Sequence, residues 1–288
     1  MTSFSPPDHL RSRPRRFAVL PAEGTLLVSG DLHGNGGDWR ALVRRFEEER
    51  MRSPRQETHW VLLGDAVHGP DEEARRREPE LYDYPDESWP IVDELSQLQR
   101  QFPGLIHYVL GNHDFSHVGG PRTAKFHADE AAHLESMLRV EERERLRSFF
   151  SRALLAAVAP CGVLLTHGSP DAGWTSLDAL DWIGLPPERE EHWRLLHSLL
   201  TSYGQPREVT ERLLEVVRGS VPGVRMVVHG HDRDPAGFFT EGGNQLCLVL
   251  FGAPRAQKRY LRLDLGARYA GVEDLHEGVE ILRLHGEG

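Results

Sequence analysis

Five short polar clusters carry residue types suited to metal binding or proton transfer, and each directly follows a run of strand-forming residues. They are Gly30-Asp31-Leu32-His33-Gly34, Gly64-Asp65, Gly111-Asn112-His113-Asp114, Thr166-His167-Gly168 and His229-Gly230-His231-Asp232. An amide, an imidazole and a carboxylate in succession, as at Asn112 to Asp114, make a poor core because buried polar groups need partners. They suit a metal site with a proton donor beside it. A lone Gly-Asp after a strand is ordinary turn chemistry, but five such clusters in order form a pattern.

Gathered at one end of a sheet, the clusters would bring together Asp31, Asp65, Asn112 and four of the histidines His33, His113, His167, His229 and His231. Two carboxylates held that close repel each other, and burying unpaired charge costs several kcal/mol. Divalent cations remove the conflict. Oxygen and imidazole donors without thiolate point to Mn, Fe or Zn. The donor set suits two metals about 3.5 to 4 Å apart that share one carboxylate and a bridging hydroxide, metal binding lowering the pKa of water from about 15.7 to near 7. That hydroxide would be the nucleophile, and the cations would neutralise phosphate oxygens during an in-line displacement.

The elements that must position these groups read as β-α-β units. Thr25–Ser29 is a short apolar run consistent with a buried strand, and it delivers Asp31 and His33. Residues 38–50 then place Trp39, Leu42, Val43 and Phe46 at helical spacing. Residues 59–63 form the next strand and deliver Asp65, so the site is expected at the strands' C-terminal ends. An acidic stretch at 69–90, with Arg75, Arg76 and Arg77, reads as a solvated surface insertion. A helix over 91–100 and a strand over 105–110 complete the second unit.

Further along, 123–158 has the composition of one or two long helices, with Phe126, Leu134, Met137, Leu138, Leu146, Phe149 and Phe150 as buried positions. A strand over 162–165 leads to His167. Residues 171–219 read as a mostly helical insertion whose Trp174, Trp182 and Trp193 form its core, and a strand over 225–228 leads to His229 and His231. His117, His127, His133, His192 and His197 read as solvated or locally satisfied. Three strand-like runs at 245–251, 259–265 and 278–284 suggest an antiparallel finish. No internal repeat or low-complexity linker is present, so 17–288 is expected to be one domain, preceded by a disordered arm at 1–16.

Composition narrows the function. The chain has 288 residues, 27% charged and 39% hydrophobic, as in ordinary globular enzymes. Its formal net charge of -10 argues against a nucleic-acid duplex as partner. No apolar run approaches the roughly 20 residues of a membrane helix, and the N-terminus lacks the apolar stretch of a secretory signal. The two cysteines, Cys161 and Cys247, make no disulfide framework, and the cytoplasm is the expected compartment.

The five motifs together resemble the calcineurin-like metallophosphoesterases, within them the protein Ser/Thr phosphatase and diadenosine tetraphosphatase branch, whose pattern is GDxHG, GDxVxRG, GNH(D/E), HG and a late GH. The match runs in order from residue 30 to 231. The resemblance implies an α/β four-layer sandwich, two mixed β-sheets flanked by helices, and a metal-dependent phosphoesterase acting on a phosphoprotein, a nucleotide or a small phosphate ester. It places Asp31, His33 and His231 on a first metal, Asp65 as the bridge, Asn112, His167 and His229 on a second, and His113 as general acid. A phosphomonoesterase is the leading expectation; a phosphodiesterase or dinucleoside polyphosphate hydrolase is the alternative. An inactive scaffold is the rival from another class, but it predicts lost ligands and every ligand position is filled.

One motif departs from the pattern. Where the branch has GDxVDRG, whose later Asp steadies the catalytic histidine and whose Arg grips phosphate, this chain has Gly64-Asp65-Ala66-Val67-His68-Gly69-Pro70. Arg75 to Arg77, Arg122 or Arg233 are the candidate replacements for the clamp. Asn35, His68 and Asp114 are candidate supporting or substrate contacts.

Overall fold

The computed structural model describes residues 15–286. In chain order the elements are β1 (Phe17–Val19), β2 (Thr25–Ser29), α1 (Gly36–Arg52), β3 (Thr58–Leu62), α2 (Glu72–Arg77), α3 (Pro79–Tyr82), α4 (Ser88–Gln101), β4 (Ile106–Tyr108) and α5 (Asn112–Phe115). There follow α6 (Glu130–Met137), α7 (Val140–Ser151), β5 (Ala156–Ala159), β6 (Val163–Leu165), α8 (Glu190–Thr201) and α9 (Arg207–Arg218). The chain closes with β7 (Met226–His229), β8 (Phe238–Glu241), β9 (Gln245–Leu248), β10 (Arg259–Asp264) and β11 (Ile281–Arg283).

Two mixed sheets result, one ordered β1-β5-β6-β7-β9-β8 and the other β11-β10-β2-β3-β4. Strand periodicity builds the four layers. Leu26, Val28, Val61 and Leu63 from the second sheet meet Ala157, Val163, Leu165, Met226 and Val228 from the first in one core between the sheets. The intervening residues Leu27, Trp60, Leu62, Leu164 and Val227 point the other way, into a core shared with helical residues such as Trp39, Phe46, Ile91, Leu199 and Leu213. Successive side chains on a strand face opposite sides, so a strand covered on both faces must be apolar throughout.

Several sequence-based expectations are corrected. The arm is one: residues 1–14 lie outside the described residues, but Arg16 is buried, and its guanidinium donates to the carbonyls of Ser151, Ala153 and Ile183. The stretch 69–90 is not merely solvated, because it forms α2 and α3 and buries Tyr82 against Phe251, their rings stacked 5.3 Å apart. Helices α6 and α7 are shorter than the composition suggested, and Met137 and Trp182 are exposed, at 58% and 42%. The final strands are antiparallel at β10 and β11, whereas β9 lies parallel to β7.

The start of α1 is held by a buried trio. Asp38 accepts from Lys258 Nζ and contacts His285 Nε2 at 2.8 Å, joining α1 to the C-terminal strands. Burial alone would raise the Asp38 carboxyl, but Lys258 and His285 outweigh it and hold it below its ordinary value of 3.8. A depressed carboxylate contributes stability that is present above its unfolded value and lost as pH falls through the folded one. We therefore expect stability from this trio to be complete above about pH 4 and to decline in more acidic solution. Removing one partner of a buried pair leaves the other uncompensated, so Asp38→Asn should cost about 3 to 5 kcal/mol in denaturant unfolding; a loss under about 1 kcal/mol would contradict this reading.

Candidate metal centre

The motif loops meet where strands β2, β3, β4, β6 and β7 end. Asp65 is the common member of two groups: the ligand atoms of His33, Asp65 and His113 lie within 4.8 Å of one another, and so do those of Asp65, His167 and His231. Asp31 joins them through its Oδ1, which accepts the His231 backbone N–H at 3.3 Å and lies 3.8 Å from His167 Nδ1. Close approach of the loops requires glycine at the joint. At Gly64, with φ of +102°, a Cβ would come within 2.6 Å of the Gly111 nitrogen and 2.9 Å of His167 Nδ1.

Ring orientation tests whether the residues fit cations. His167 Nδ1–H donates to the Leu63 carbonyl at 2.7 Å, which turns Nε2 toward Asn112 Oδ1 at 3.1 Å and Asp65 Oδ2 at 3.5 Å. His33 repeats the arrangement, Nδ1–H donating to the His68 carbonyl at 3.3 Å and Nε2 lying 3.7 Å from Asp65 Oδ2. Lone pairs thus face oxygen acceptors, as when a backbone partner fixes the tautomer of a metal-bound histidine. The charges agree. Burial, together with the charge of Asp65, pushes Asp31 up to about 6 despite His167. For Asp65 the histidines outweigh burial and lower the carboxyl, and for His167 the charges of Asp65 and Asp31 outweigh burial and raise the ring. The donor set fits metal cations.

Asp114 ties the loops together beneath this cluster. Its carboxylate accepts from the backbone N–H of Asp65, Ala66 and Gly111 at 2.9, 3.2 and 2.8 Å and from the Tyr108 hydroxyl at 2.7 Å. His113 receives its place from this brace and from its own backbone N–H, which donates to Asp65 Oδ1 at 2.9 Å. His68 stands beside it, its Nδ1 3.0 Å from His113 Nδ1.

Six candidates fall elsewhere. His229 ends β7 on the side of Val227, away from the inter-sheet core, so strand alternation turns its ring to Asp232 and Cys247 rather than to the site. Its Nδ1–H donates to the Gly230 carbonyl at 2.9 Å, and burial lowers it to about 4. Asn35 caps α1, its Oδ1 accepting the Asp38 N–H at 3.0 Å. Arg122 is exposed beside Asp129 and borders an adjoining apolar hollow with Trp193. Arg75 and Arg77 pair with acidic neighbours, and neither they nor Arg76 border the site.

An open cleft of about 510 Å³ lies over the cluster, lined by His33, Asp65, Asn112, His113, His231 and Arg233 and also by Lys125, Tyr203 and Asp232. Lys125 and Tyr203 were not anticipated. Lys125 lies in a stretch whose composition reads as helix, yet its Nζ sits 4.0 Å from the centre of the Phe251 ring. Although the residue as a whole is exposed, crowding of the ammonium by the cleft wall, and then the neighbouring Arg233, lower it from its ordinary value. Arg233 donates to the Tyr82 hydroxyl at 3.0 Å, which turns it over the same ring. Tyr203 follows α8 and lies against His231, ring centres 5.1 Å apart, so the helical insertion borders the cleft.

A two-sheet sandwich with buried carboxylates and imidazoles converging at its strand ends, under a cleft carrying two cationic side chains, defines a metal-dependent hydrolase of phosphate esters. The family model for calcineurin-like phosphoesterase matches residues 24–234, and the chain belongs to that family. Solved structures share the fold at low identity. One is a protein serine/threonine phosphatase from Saccharomyces cerevisiae with similarity to human phosphatase PP5 (14% identity, 88% of this chain and 78% of that one, TM-score 0.58). Another is a cold-active protein-tyrosine phosphatase of a psychrophile Shewanella sp. (14%, 90% and 80%, TM-score 0.59). A local likeness of 35% over 95 residues links 29% of this chain to 16% of glutamate–tRNA ligase 1 of Granulibacter bethesdensis, so the chain spans a small part of that relative. Among the described residues, no helix is long and apolar enough to cross a membrane.

Proposed function

We propose that the protein is a dinuclear phosphomonoesterase. The observation that carries this reading is the membership of Asp65 in both ligand groups, which suits a shared carboxylate. Asp31, His33 and Asp65 would hold one cation, and Asp65, Asn112, His167 and His231 the other. Grouping His231 with His167, rather than with Asp31 and His33, follows the distances within 4.8 Å. When bound, the pair supplies Lewis acidity and a water acidic enough to attack at neutral pH.

The chain's own residues do the rest. Lys125 and Arg233 face the cleft from one side and suit the two charges of a monoester dianion, replacing the arginine missing from the second motif. Charge-assisted bonds from such groups are short and directional. His113, braced through Asp65 and Glu130, would give its proton to the leaving oxygen. Tyr203 and the insertion bound the cleft where the remainder of the ester would lie.

The test compares kcat/KM for an aryl phosphate monoester and diester with Mn²⁺ added. Monoester preference, abolished by chelator, is expected; faster diester turnover would overturn the monoesterase reading in favour of the phosphodiesterase alternative. Lys125→Met should lower kcat/KM for the monoester about 10- to 100-fold, as for a lost charge-assisted bond of about 1.5 to 3 kcal/mol. The diester, carrying one charge fewer, should lose less. Equal losses on both would remove Lys125 from the clamp.

A further inference from the structure

We propose that Glu130, in the first turn of α6, is the carboxylate that positions His113 as proton donor. This rests on the phosphoesterase reading above and assigns a role the second motif leaves vacant. His68 stands where the related pattern has a carboxylate, and an imidazole there cannot supply negative charge to its neighbour.

Glu130 is 1% exposed, and Oε1 accepts the Phe126 N–H at 3.0 Å. Its Oε2 makes no aligned hydrogen bond and lies 3.2 Å from His113 Nδ1. A buried carboxylate oxygen is costly without a cationic partner, and His113 Nδ1 is near enough to serve. His68 Nδ1 is farther, at 3.9 Å. With Nδ1 committed, Nε2 is the nitrogen left for the cleft that His113 lines.

The surroundings fix both ends of this contact. Asp129 caps α6 by accepting the Ala132 N–H at 3.0 Å, and the Glu130 N–H donates to the Thr123 carbonyl at 3.2 Å. On the far side, His68 Nε2 lies 3.0 Å from His117 Nε2, whose Nδ1 lies 2.9 Å from Glu135 Oε1, and Glu135 also binds Arg147. His68 Nδ1 in turn lies 3.0 Å from His113 Nδ1, so that nitrogen is bracketed by the His68 ring and the Glu130 carboxylate, of which only the second carries charge. Burial raises and His113 more than offsets the Glu130 carboxyl, which settles at about 2, consistent with a carboxylate that keeps its charge.

A proton donor matters in proportion to how poor the leaving group is, and general acid catalysis contributes about 10² to 10⁴ in rate. The experiment measures kcat for phenyl phosphate and 2,4-dinitrophenyl phosphate with Mn²⁺. Glu130→Gln keeps an oxygen for the Phe126 N–H and removes the charge. It should lower kcat for phenyl phosphate about 100-fold, the lower end of that range, and for the dinitrophenyl ester by under about 5-fold, since a good leaving group needs little proton donation. KM and bound metal should stay unchanged. Added to His113→Asn, Glu130→Gln should cost nothing further, whereas structural damage would add to the loss. Equal losses on the two esters, or an additive double variant, would overturn the role. Should Glu130→Gln not fold, Glu130→Asp is read by the same ratio, a larger loss on phenyl phosphate supporting the role and an equal one overturning it. Absence of wild-type turnover on both esters would sink the phosphoesterase reading and this role with it; wild-type turnover without leaving-group dependence in the variant sinks this role alone.

Discussion

Asp65→Asn should lower kcat/KM for an aryl phosphate by on the order of 10³-fold or more, about 4 kcal/mol of transition-state stabilisation at 1.36 kcal/mol per tenfold. Asp65 belongs to both ligand groups, and it also accepts the His113 N–H. Asparagine keeps an oxygen for that bond, so the loop should survive while the shared charge is lost. Two measurements separate this from unfolding. Bound metal after Mn²⁺ loading should fall, and the rise in melting temperature on adding Mn²⁺ should shrink, because ligand that binds only the folded state stabilises it by mass action. The metal-free variant should melt somewhat lower than the wild type, since the histidines that hold the Asp65 carboxyl below its ordinary value lose their charged partner, so a shrunken Mn²⁺-dependent rise, not the metal-free melting temperature, is the reading that counts. Activity within about tenfold of the wild type at full metal content would remove Asp65 from the shared position.

His113→Asn should reduce kcat about 10²- to 10⁴-fold, the range of a lost general acid, with KM and bound metal largely retained. The distinction rests on geometry: His113 Nδ1 lies 3.2 Å from Glu130 Oε2 and 3.0 Å from His68 Nδ1, its backbone N–H donates to Asp65 Oδ1, and its ring lines the cleft. A parallel loss of metal would instead make His113 a ligand, an arrangement its grouping with His33 and Asp65 also allows. Content of metal per chain, measured beside kcat, decides between them.

Much of the frame was legible because short buried strands announce themselves. Thr25–Ser29 has the bounds expected of it, and the runs ending at Asp65, Asn112, His167 and His231 all form strands that stop where their polar clusters begin. The candidate donors could be picked out because each cluster is local in sequence. Long-range placement was harder to read. His229 and His231 are two residues apart and look equivalent in the text, but whether each reaches the site depends on where β7 ends and how Gly230 turns the chain, and His229 keeps to the strand's alternation. Glu130 and Lys125 lie in a stretch whose composition says only helix, and nothing local shows that its approach brings them to His113 and Phe251. Asn35 looked like a site residue because it follows His33 closely, yet its spacing to Asp38 is that of a helix cap. By sequence His117 reads as solvated or locally satisfied, whereas it is buried and its partners are His68 and Glu135, 49 and 18 residues away.

Four non-glycine residues, His33, Asp65, His68 and His231, have φ of 44°, 49°, 70° and 69°, and all four lie around the cluster. Side chains other than glycine resist that backbone at about 1 to 2 kcal/mol each. A chain refined purely for durability would therefore drift toward glycine at these places, and directed selection for heat resistance would erode the catalyst unless turnover were screened alongside it.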